Sequence, residues 1–363
     1  MNILNISPTI FSKESVIGGG EKYLNYCQMA LSTAMNKNNR RGNVQIAFPS
    51  TSIKYQSNGP QSIVTFYSHN GKPEDFDLDS FKLLVSKYDV VIVHQCLSKF
   101  GMRAGALSKL MNKRVIGFDH GGGEDADIFW SHDATYFYDV FIAQSRFAAR
   151  AFDNFYNRVE IVLGPIPTGM FYPHSTNRRA KNELLSIGRI LPHKGFEQII
   201  NNMPKNTTLT ILGKVYDDGY LNYLKECIES KKANVNFHHS SSDDEVRELI
   251  QNSSLYVQAS KKIDYKNRFY SKPELLSLAS LEALSFGVPT LVSNVGALPE
   301  LATIPGCFVY NSDAELKQLL ENDYSSYHQS YFRNEMKECV EMTYGMDQFG
   351  NRILSILDSL DSI

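Results

Sequence analysis

No metal-binding spacing runs through this sequence. HExxH and CxxC are both absent, and the adjacent pair His238-His239 is an awkward spacing for sharing one ion. Asp217-Asp218 and Asp243-Asp244-Glu245 read as solvated faces or helix starts rather than as a magnesium site. GxSxG is missing too, which argues against an esterase-type serine hydrolase. The five cysteines, Cys27, Cys96, Cys227, Cys307 and Cys339, are odd in number and scattered, so they read as reduced thiols of a cytosolic protein. No apolar run approaches the roughly 20 residues needed to span a bilayer, and the opening residues 1–6 look like a strand, so no secretory signal is expected. Charge of either sign is not in excess. Lys plus Arg number 37 against 39 Asp plus Glu, a net charge of -2, which gives no whole-molecule attraction to nucleic acid or anionic lipid. Two local basic clusters stand out, Arg103, Lys109, Lys113 and Arg114 in one and Lys37, Arg40 and Arg41 in the other. They read either as solvated surface or as an electrostatic foot for a membrane or an anionic acceptor. There is no repeat at a solenoid period and no low-complexity tail.

What is present is an alternation of short apolar strands with helical patterns. Residues 3–6, 44–48, 63–67, 90–94, 115–118, 140–143 and 161–163 are strand candidates in the first half; 184–187, 209–212, 235–237, 255–258, 290–292 and 307–309 are candidates in the second. Near-continuous apolar strands separated by helices predict two parallel sheets covered on both faces. A chain of 363 residues is long enough for two such domains, with a cleft between them. The Pro- and Gly-rich stretch 164–173 is the expected crossing. Leu24, Cys27, Ala30 and Leu31 recur at helical spacing after Gly18-Gly19-Gly20-Glu21, helices are expected at 218–230 and 244–251, and 346–360 is expected to be amphipathic.

Candidate chemistry concentrates in the second half. The turn after strand 184–187 contains Gly188, Pro192 and Gly195 and places Arg189 and Lys194 at a strand's carboxyl end, where open parallel sheets bind ligands. A rigid guanidinium and a mobile ammonium there suit a diphosphate and its departure as a leaving group; the alternative is a surface pair beside a turn. Glu274 and Glu282 lie eight positions apart, the second among Leu281, Ala283, Leu284 and Phe286. A carboxylate in that company needs a partner, and a polyhydroxylated ligand supplies one. Ser277 or Ser280 is the expected N-cap of a helix running to about Ser285, with amides near Ser277 and Leu278 facing a phosphate oxygen, Glu274 in the loop before it and Glu282 inside it. The plainer alternative keeps Glu282 solvated on a polar face marked by Ser280 and Ser285. In the first half, Gly18 to Gly20 suit a phosphate, a sugar or a bare turn, and they lack the GxGxxG spacing. His120 ends a strand and precedes three glycines, and His94 occupies a neighbouring strand end; each is either a substrate contact or a hydrogen-bonded structural histidine.

Taken together, these residues resemble a known family: the retaining glycosyltransferases of glycosyltransferase family 4 (glycosyl transferases group 1). This large group includes sucrose synthase, bacterial mannosyltransferases and lipopolysaccharide glucosyltransferases. The resemblance rests on Gly18-Gly19-Gly20-Glu21, His120, Pro167 to Phe171, Gly188-Arg189 with Lys194-Gly195, and Glu274-x7-Glu282 with Gly287-Val-Pro289. It implies an α/β GT-B fold: two Rossmann-like domains with parallel sheets facing a central cleft, at 1–168 and 169–345, and a C-terminal helix at 346–363 crossing back to the first. It further implies that Arg189 and Lys194 hold the donor diphosphate, Glu282 the ribose and Glu274 the donor sugar, with amides near Ser277 and Leu278 assisting. His120 would contact the transferred sugar, and Gly19 would sit near the donor phosphate and the acceptor. The implied activity is hexosyl transfer from a nucleoside diphosphate sugar to a glycan or lipid-linked acceptor, with no cofactor and no metal. The implied setting is cell-envelope polysaccharide synthesis, in the cytoplasm or peripherally on the inner face of the membrane. One departure stands out. Where the family commonly has Glu-Gly-Phe-Gly, this chain has Glu274-Leu275-Leu276-Ser277, which leaves the donor sugar unassigned and motivates a noncatalytic sugar-nucleotide or glycan binder as one rival; a sugar-nucleotide epimerase built on the same double sheet is the other.

Overall fold

The computed structural model describes residues 1–8, 19–58, 61–120, 136–152, 158–170 and 182–360. The chain forms two compact units, Met1–Pro165 with Tyr344–Ile363, and Ile166–Thr343. Both are Rossmann-like layers of helices around a parallel sheet.

The first sheet contains β1 (Ile3–Ile6), β2 (Val44–Ser50), β3 (Tyr55–Asn58), β4 (Gln61–Tyr67), β5 (Val90–His94), β6 (Arg114–Phe118), β7 (Val140–Ala143) and β8 (Arg158–Ile161), in the order β3-β4-β2-β1-β5-β6-β7-β8. Every neighbouring pair is parallel except β3 with β4. The central strands β1 and β5 are buried throughout, as an apolar run covered on both faces should be. The two departures from the sequence expectation are both at the sheet's edges. Strand β3 reads Tyr-Gln-Ser-Asn, with no apolar run to announce it, and β8 begins three residues earlier than expected, on Arg158 and Glu160. An edge strand is covered less, so it needs no continuous hydrophobic pattern. Arg158 instead donates to Glu160 at 2.7 Å.

The helix Gly19–Lys37 packs on this sheet and against the helix Met346–Leu360, which belongs to the same unit. The latter buries Phe349, Ile353, Leu354, Ile356 and Leu357, each worth about 1.5–3 kcal/mol when removed from water. Gly350 permits the close crossing, because a Cβ there would lie 2.5 Å from the Ala30 carbonyl oxygen. The rim of this contact uses one of the basic clusters: Lys37 pairs with Asp347, and Arg40 binds Asp358 through two bonds of 2.7 and 2.6 Å. In the other cluster Lys109 pairs with Asp139, and Arg103 sits 4.4 Å over the Phe76 ring. These four cations are therefore engaged within the fold.

The second sheet contains β9 (Glu183–Ile187), β10 (Thr208–Leu212), β11 (Asn234–His238), β12 (Leu255–Gln258), β13 (Thr290–Ser293) and β14 (Cys307–Tyr310), all parallel, in the order β11-β10-β9-β12-β13-β14. Its core joins Leu184, Leu209, Ile211, Val257 and Leu291 from the strands to Phe196, Ile199, Tyr220 and Leu224 from helices. The helices Asp218–Lys231 and Asp243–Asn252 start where their caps dictate. Asp217 accepts from the Tyr220 amide at 2.9 Å, and Ser242 and Glu245 form a reciprocal capping box.

Candidate active site

In each sheet the strand order reverses once. The second sheet runs outward from β9 through β10 to β11, then resumes on the other side with β12, so β9 and β12 flank a topological switch point. Loops leaving the carboxyl ends of such strands diverge and leave a crevice for ligands.

The loop after β9 carries Arg189 and Lys194, and two close approaches fix it. Gly195 has φ +66°, and a Cβ there would lie 2.0 Å from the Ala259 carbonyl oxygen, while the Lys261 amide donates to the His193 carbonyl at 2.8 Å. The loops after β9 and β12 are thus held together. Lys194 donates to both carboxylate oxygens of Glu274, at 2.9 and 3.0 Å, with each side chain about one tenth exposed (11% and 12%). Gln258, the last residue of β12, donates to the same carboxylate at 3.1 Å, and Ser260 donates at 3.4 Å. The Tyr256 hydroxyl donates to Gln258 Oε1 at 2.8 Å, which turns the amide nitrogen toward Glu274. Burial raises the Tyr256 pKa, and the Glu274 and Glu282 carboxylates add to the shift, so Tyr256 stays a phenol.

The segment following Glu274 settles the choice of cap. Ser277 is the N-cap of the helix Leu278–Ser285, accepting from the Ser280 amide at 3.3 Å, with the two hydroxyls 2.8 Å apart. Glu274 precedes the helix and Glu282 lies inside it. Ser280 and Ser285 do not mark a polar face. Both are buried, as is Glu282 at 3% exposure, and the Ser285 hydroxyl donates to the Leu281 carbonyl at 2.8 Å. A solvated Glu282 is thereby ruled out, because the helix is enclosed on nearly every side. Leu275 is buried and Leu276 half-buried, so the first of the side chains replacing the family's glycines turns into the core. Gly296, at φ +62°, allows the Glu274 backbone to pass close by, since a Cβ would meet its carbonyl oxygen at 2.3 Å.

Arg189 is exposed, with its guanidinium 5.5 Å from the centre of the Tyr216 ring. His193, which the sequence reading passed over, adjoins Lys194 in the same loop. Burial first, then the charges of Lys194 and Arg189, pull its pKa down to about 3, and its ring packs 4.8 Å from that of Tyr270. Gln258 and Ser260 were also missed, although a polar residue closing an apolar strand is the signal that would have found Gln258.

In the first unit the switch point lies between β1 and β5, and His94 ends β5. His94 Nδ1 is 2.7 Å from His120 Nε2, and the ring planes lie within 10° of each other. His94 Nε2 is 3.1 Å from Asn5 Oδ1, and Gln144 Nε2 is 3.0 Å from His120 Nδ1. Burial lowers the pKa of His94 well below its ordinary value and that of His120 to about 4, so both rings are neutral at neutral pH. Asn5 and Gln144 were not singled out from the sequence. Gly19 is the first residue of its helix; Gly18 and the glycines after His120 lie outside the described residues. Among the described residues no three His, Cys, Asp or Glu side chains group as a metal site would require.

Residues 173–321, which include Arg189, Lys194, Glu274 and Glu282, match the family model described as Glycosyl transferases group 1. No curated protein sequence matches the chain. Among solved structures, the chain is similar to a sucrose-phosphate synthase from Thermosynechococcus elongatus, with TM-score 0.78 and 13% identity over 99% of each chain. It is similar also to Anabaena HepE in complex with UDP and glucose, with TM-score 0.72 and 14% identity, covering 99% of this chain and 100% of that one. The lipopolysaccharide outer core galactosyltransferase WaaB superposes with TM-score 0.67 and 15% identity, covering 99% of this chain and 100% of that one. At these identities the likeness establishes the fold, which is the two-Rossmann-domain GT-B fold of glycosyltransferases.

Proposed function

We propose that the protein is a retaining glycosyltransferase that moves a hexosyl group from a nucleoside diphosphate sugar to a hydroxyl of a glycan or lipid-linked acceptor. The observation that carries this reading is the Lys194–Glu274 pair at the switch point, beside the helix with buried Glu282, inside the segment that matches the group 1 model. Lys194 and Arg189 hold the diphosphate, Glu282 the ribose, and Glu274 the donor sugar, with amides at Ser277 and Leu278 and at Gly19 assisting. His120, in the other unit, is assigned to the transferred sugar.

An ammonium has three N–H donors, so Lys194 can serve Glu274 and a phosphate oxygen together. As the glycosidic bond breaks, positive charge develops at the anomeric carbon and negative charge on the leaving diphosphate. Arg189 and Lys194 stabilise the latter more strongly in the transition state than in the ground state. The acceptor approaches from the leaving group's own face and gives its proton to the departing phosphate, so the configuration is retained without a nucleophilic carboxylate. No metal enters this scheme. The reading belongs with cytoplasmic synthesis of cell-envelope polysaccharide, and peripheral contact with a membrane would bring the enzyme to a lipid-linked acceptor.

Incubation with a panel of nucleotide sugars and mixed acceptors tests the proposal. A new glycoside is expected, whereas an isomerised donor would replace the reading with epimerisation, and donor binding without turnover would replace it with a binding role. Lys194→Ala and Arg189→Ala are each expected to lower turnover by about a hundredfold, as loss of a charge-stabilising donor does elsewhere. Unchanged donor binding and turnover in both variants would remove the assigned anion site.

A further inference from the structure

The polar chain in the first unit runs across four adjacent strands. Asn5 lies on β1, His94 ends β5, His120 follows β6 and Gln144 follows β7, and β1-β5-β6-β7 are consecutive neighbours in the sheet. Its direction follows from one backbone group. Gln144 Nε2 donates to the Asp119 carbonyl oxygen at 2.8 Å, and a carbonyl only accepts, so the atom there is the amide nitrogen. The second hydrogen of that nitrogen points to His120 Nδ1 at 3.0 Å, which must accept. A neutral imidazole accepting at Nδ1 carries its proton on Nε2, and His120 Nε2–H therefore donates to His94 Nδ1 at 2.7 Å. His94 in turn carries its proton on Nε2 and donates to Asn5 Oδ1 at 3.1 Å. Turning the Asn5 amide over would set one N–H against another, so Asn5 is fixed as well. Its Oδ1 also lies 3.9 Å from the Cys27 thiol, and its Nδ2 is left buried without a hydrogen-bond partner.

We propose that Gln144 and His94 are positioning residues that lock His120 as its neutral Nε2–H tautomer and so withdraw its side chain from acid-base chemistry. The proposal rests on the assignment of His120 to the transferred sugar. With both ring nitrogens engaged, His120 offers no lone pair to an acceptor hydroxyl. It is a fixed, uncharged neighbour of the sugar, placed where an imidazolium would oppose the positive charge developing at the anomeric carbon. His94 is buried and His120 half-buried, and the desolvation of both rings keeps the relay neutral.

Long-range 1H–15N spectra of the full chain labelled at histidine read the tautomers directly and do not depend on any reaction. Neutral Nε2–H signatures are expected for His94 and His120. Gln144→Glu offers only acceptors, so both rings should switch to Nδ1–H. His94→Phe removes the acceptor for His120 and should lower kcat about tenfold or more while the donor KM stays within about twofold, as loss of an orienting partner does. His94→Gln, whose amide oxygen can still accept, should restore most of kcat. Thermal melts identify any variant that fails to fold, and the wild-type spectra decide the tautomer in that case. A wild-type His120 in the Nδ1–H or imidazolium form overturns the proposal, as does a folded His94→Phe with wild-type kcat and KM. Absence of transfer from every donor, with the Nε2–H signatures present, would instead remove the functional reading and leave the relay standing.

Discussion

The two units place polar residues at the same position in the same fold and solve their burial in opposite ways. At the switch point of the first sheet, Asn5, His94, His120 and Gln144 form a chain in which every member is neutral and each hydrogen bond dictates the next. At that of the second, Lys194 and Glu274 face each other as full charges, with Gln258 and Ser260 closing the carboxylate. A neutral relay has no net charge to desolvate and fixes orientation. A buried ion pair instead has to offset the desolvation of two charges by their mutual attraction and by further hydrogen bonds, which Gln258 and Ser260 supply. In the function proposed above, the second unit meets the diphosphate and the first holds a ring still.

The largest effect that would break this contrast comes from the ion pair. Lys194→Met strands the Glu274 carboxylate among partners that cannot neutralise it, and it should cost about 3 kcal/mol of stability. Adding Glu274→Gln should recover most of that loss; a double-mutant cycle by chemical denaturation that returns no coupling would show that the pair is not buried in effect.

Of the same order is the acid response of the neutral relay. His94 and His120 are neutral in the fold, with pKa values below their unfolded value of about 6.5, His120 at about 4. The unfolded chain therefore binds more protons as pH falls. Their contribution is complete above about pH 6.5 and is lost progressively toward pH 4, by about 1.4 kcal/mol per pH unit for each histidine. Denaturation at pH 7 and pH 5 should reveal this slope, and His94→Phe should make it shallower. A slope unaffected by His94→Phe would mean that His94 is not held neutral by burial.

The smallest effect belongs to the surface. Arg40→Ala removes the two-bond contact to Asp358 at the rim of the helix Met346–Leu360, where water and salt screen it, and a change of about 1 kcal/mol or less is expected. A loss as large as that of Lys194→Met would erase the distinction between exposed and enclosed charge pairs.

Legibility differed between strands and sites for the same reason. Central strands such as β1 and β5 announce themselves because both faces are covered, whereas β3 carries no apolar run and was invisible. Glu282 among apolar neighbours signalled a buried carboxylate correctly, yet Ser280 and Ser285 suggested a wet face that does not exist, since their hydroxyls are satisfied within or beside their own helix. Lys194 and Glu274 were each legible as candidates. Their direct contact was not, because it joins loops 80 positions apart in sequence.

Periodicity and breakers, which act between near neighbours in the chain, determined the alternating strands and helices and the start and end of the helix Met346–Leu360. Partner choice was left to tertiary structure: which carboxylate takes Lys194, which carbonyl orients Gln144, and which way the histidine protons point. Those outcomes depend on distances between groups far apart in sequence and on burial that makes each hydrogen bond obligatory, and no local pattern encodes either.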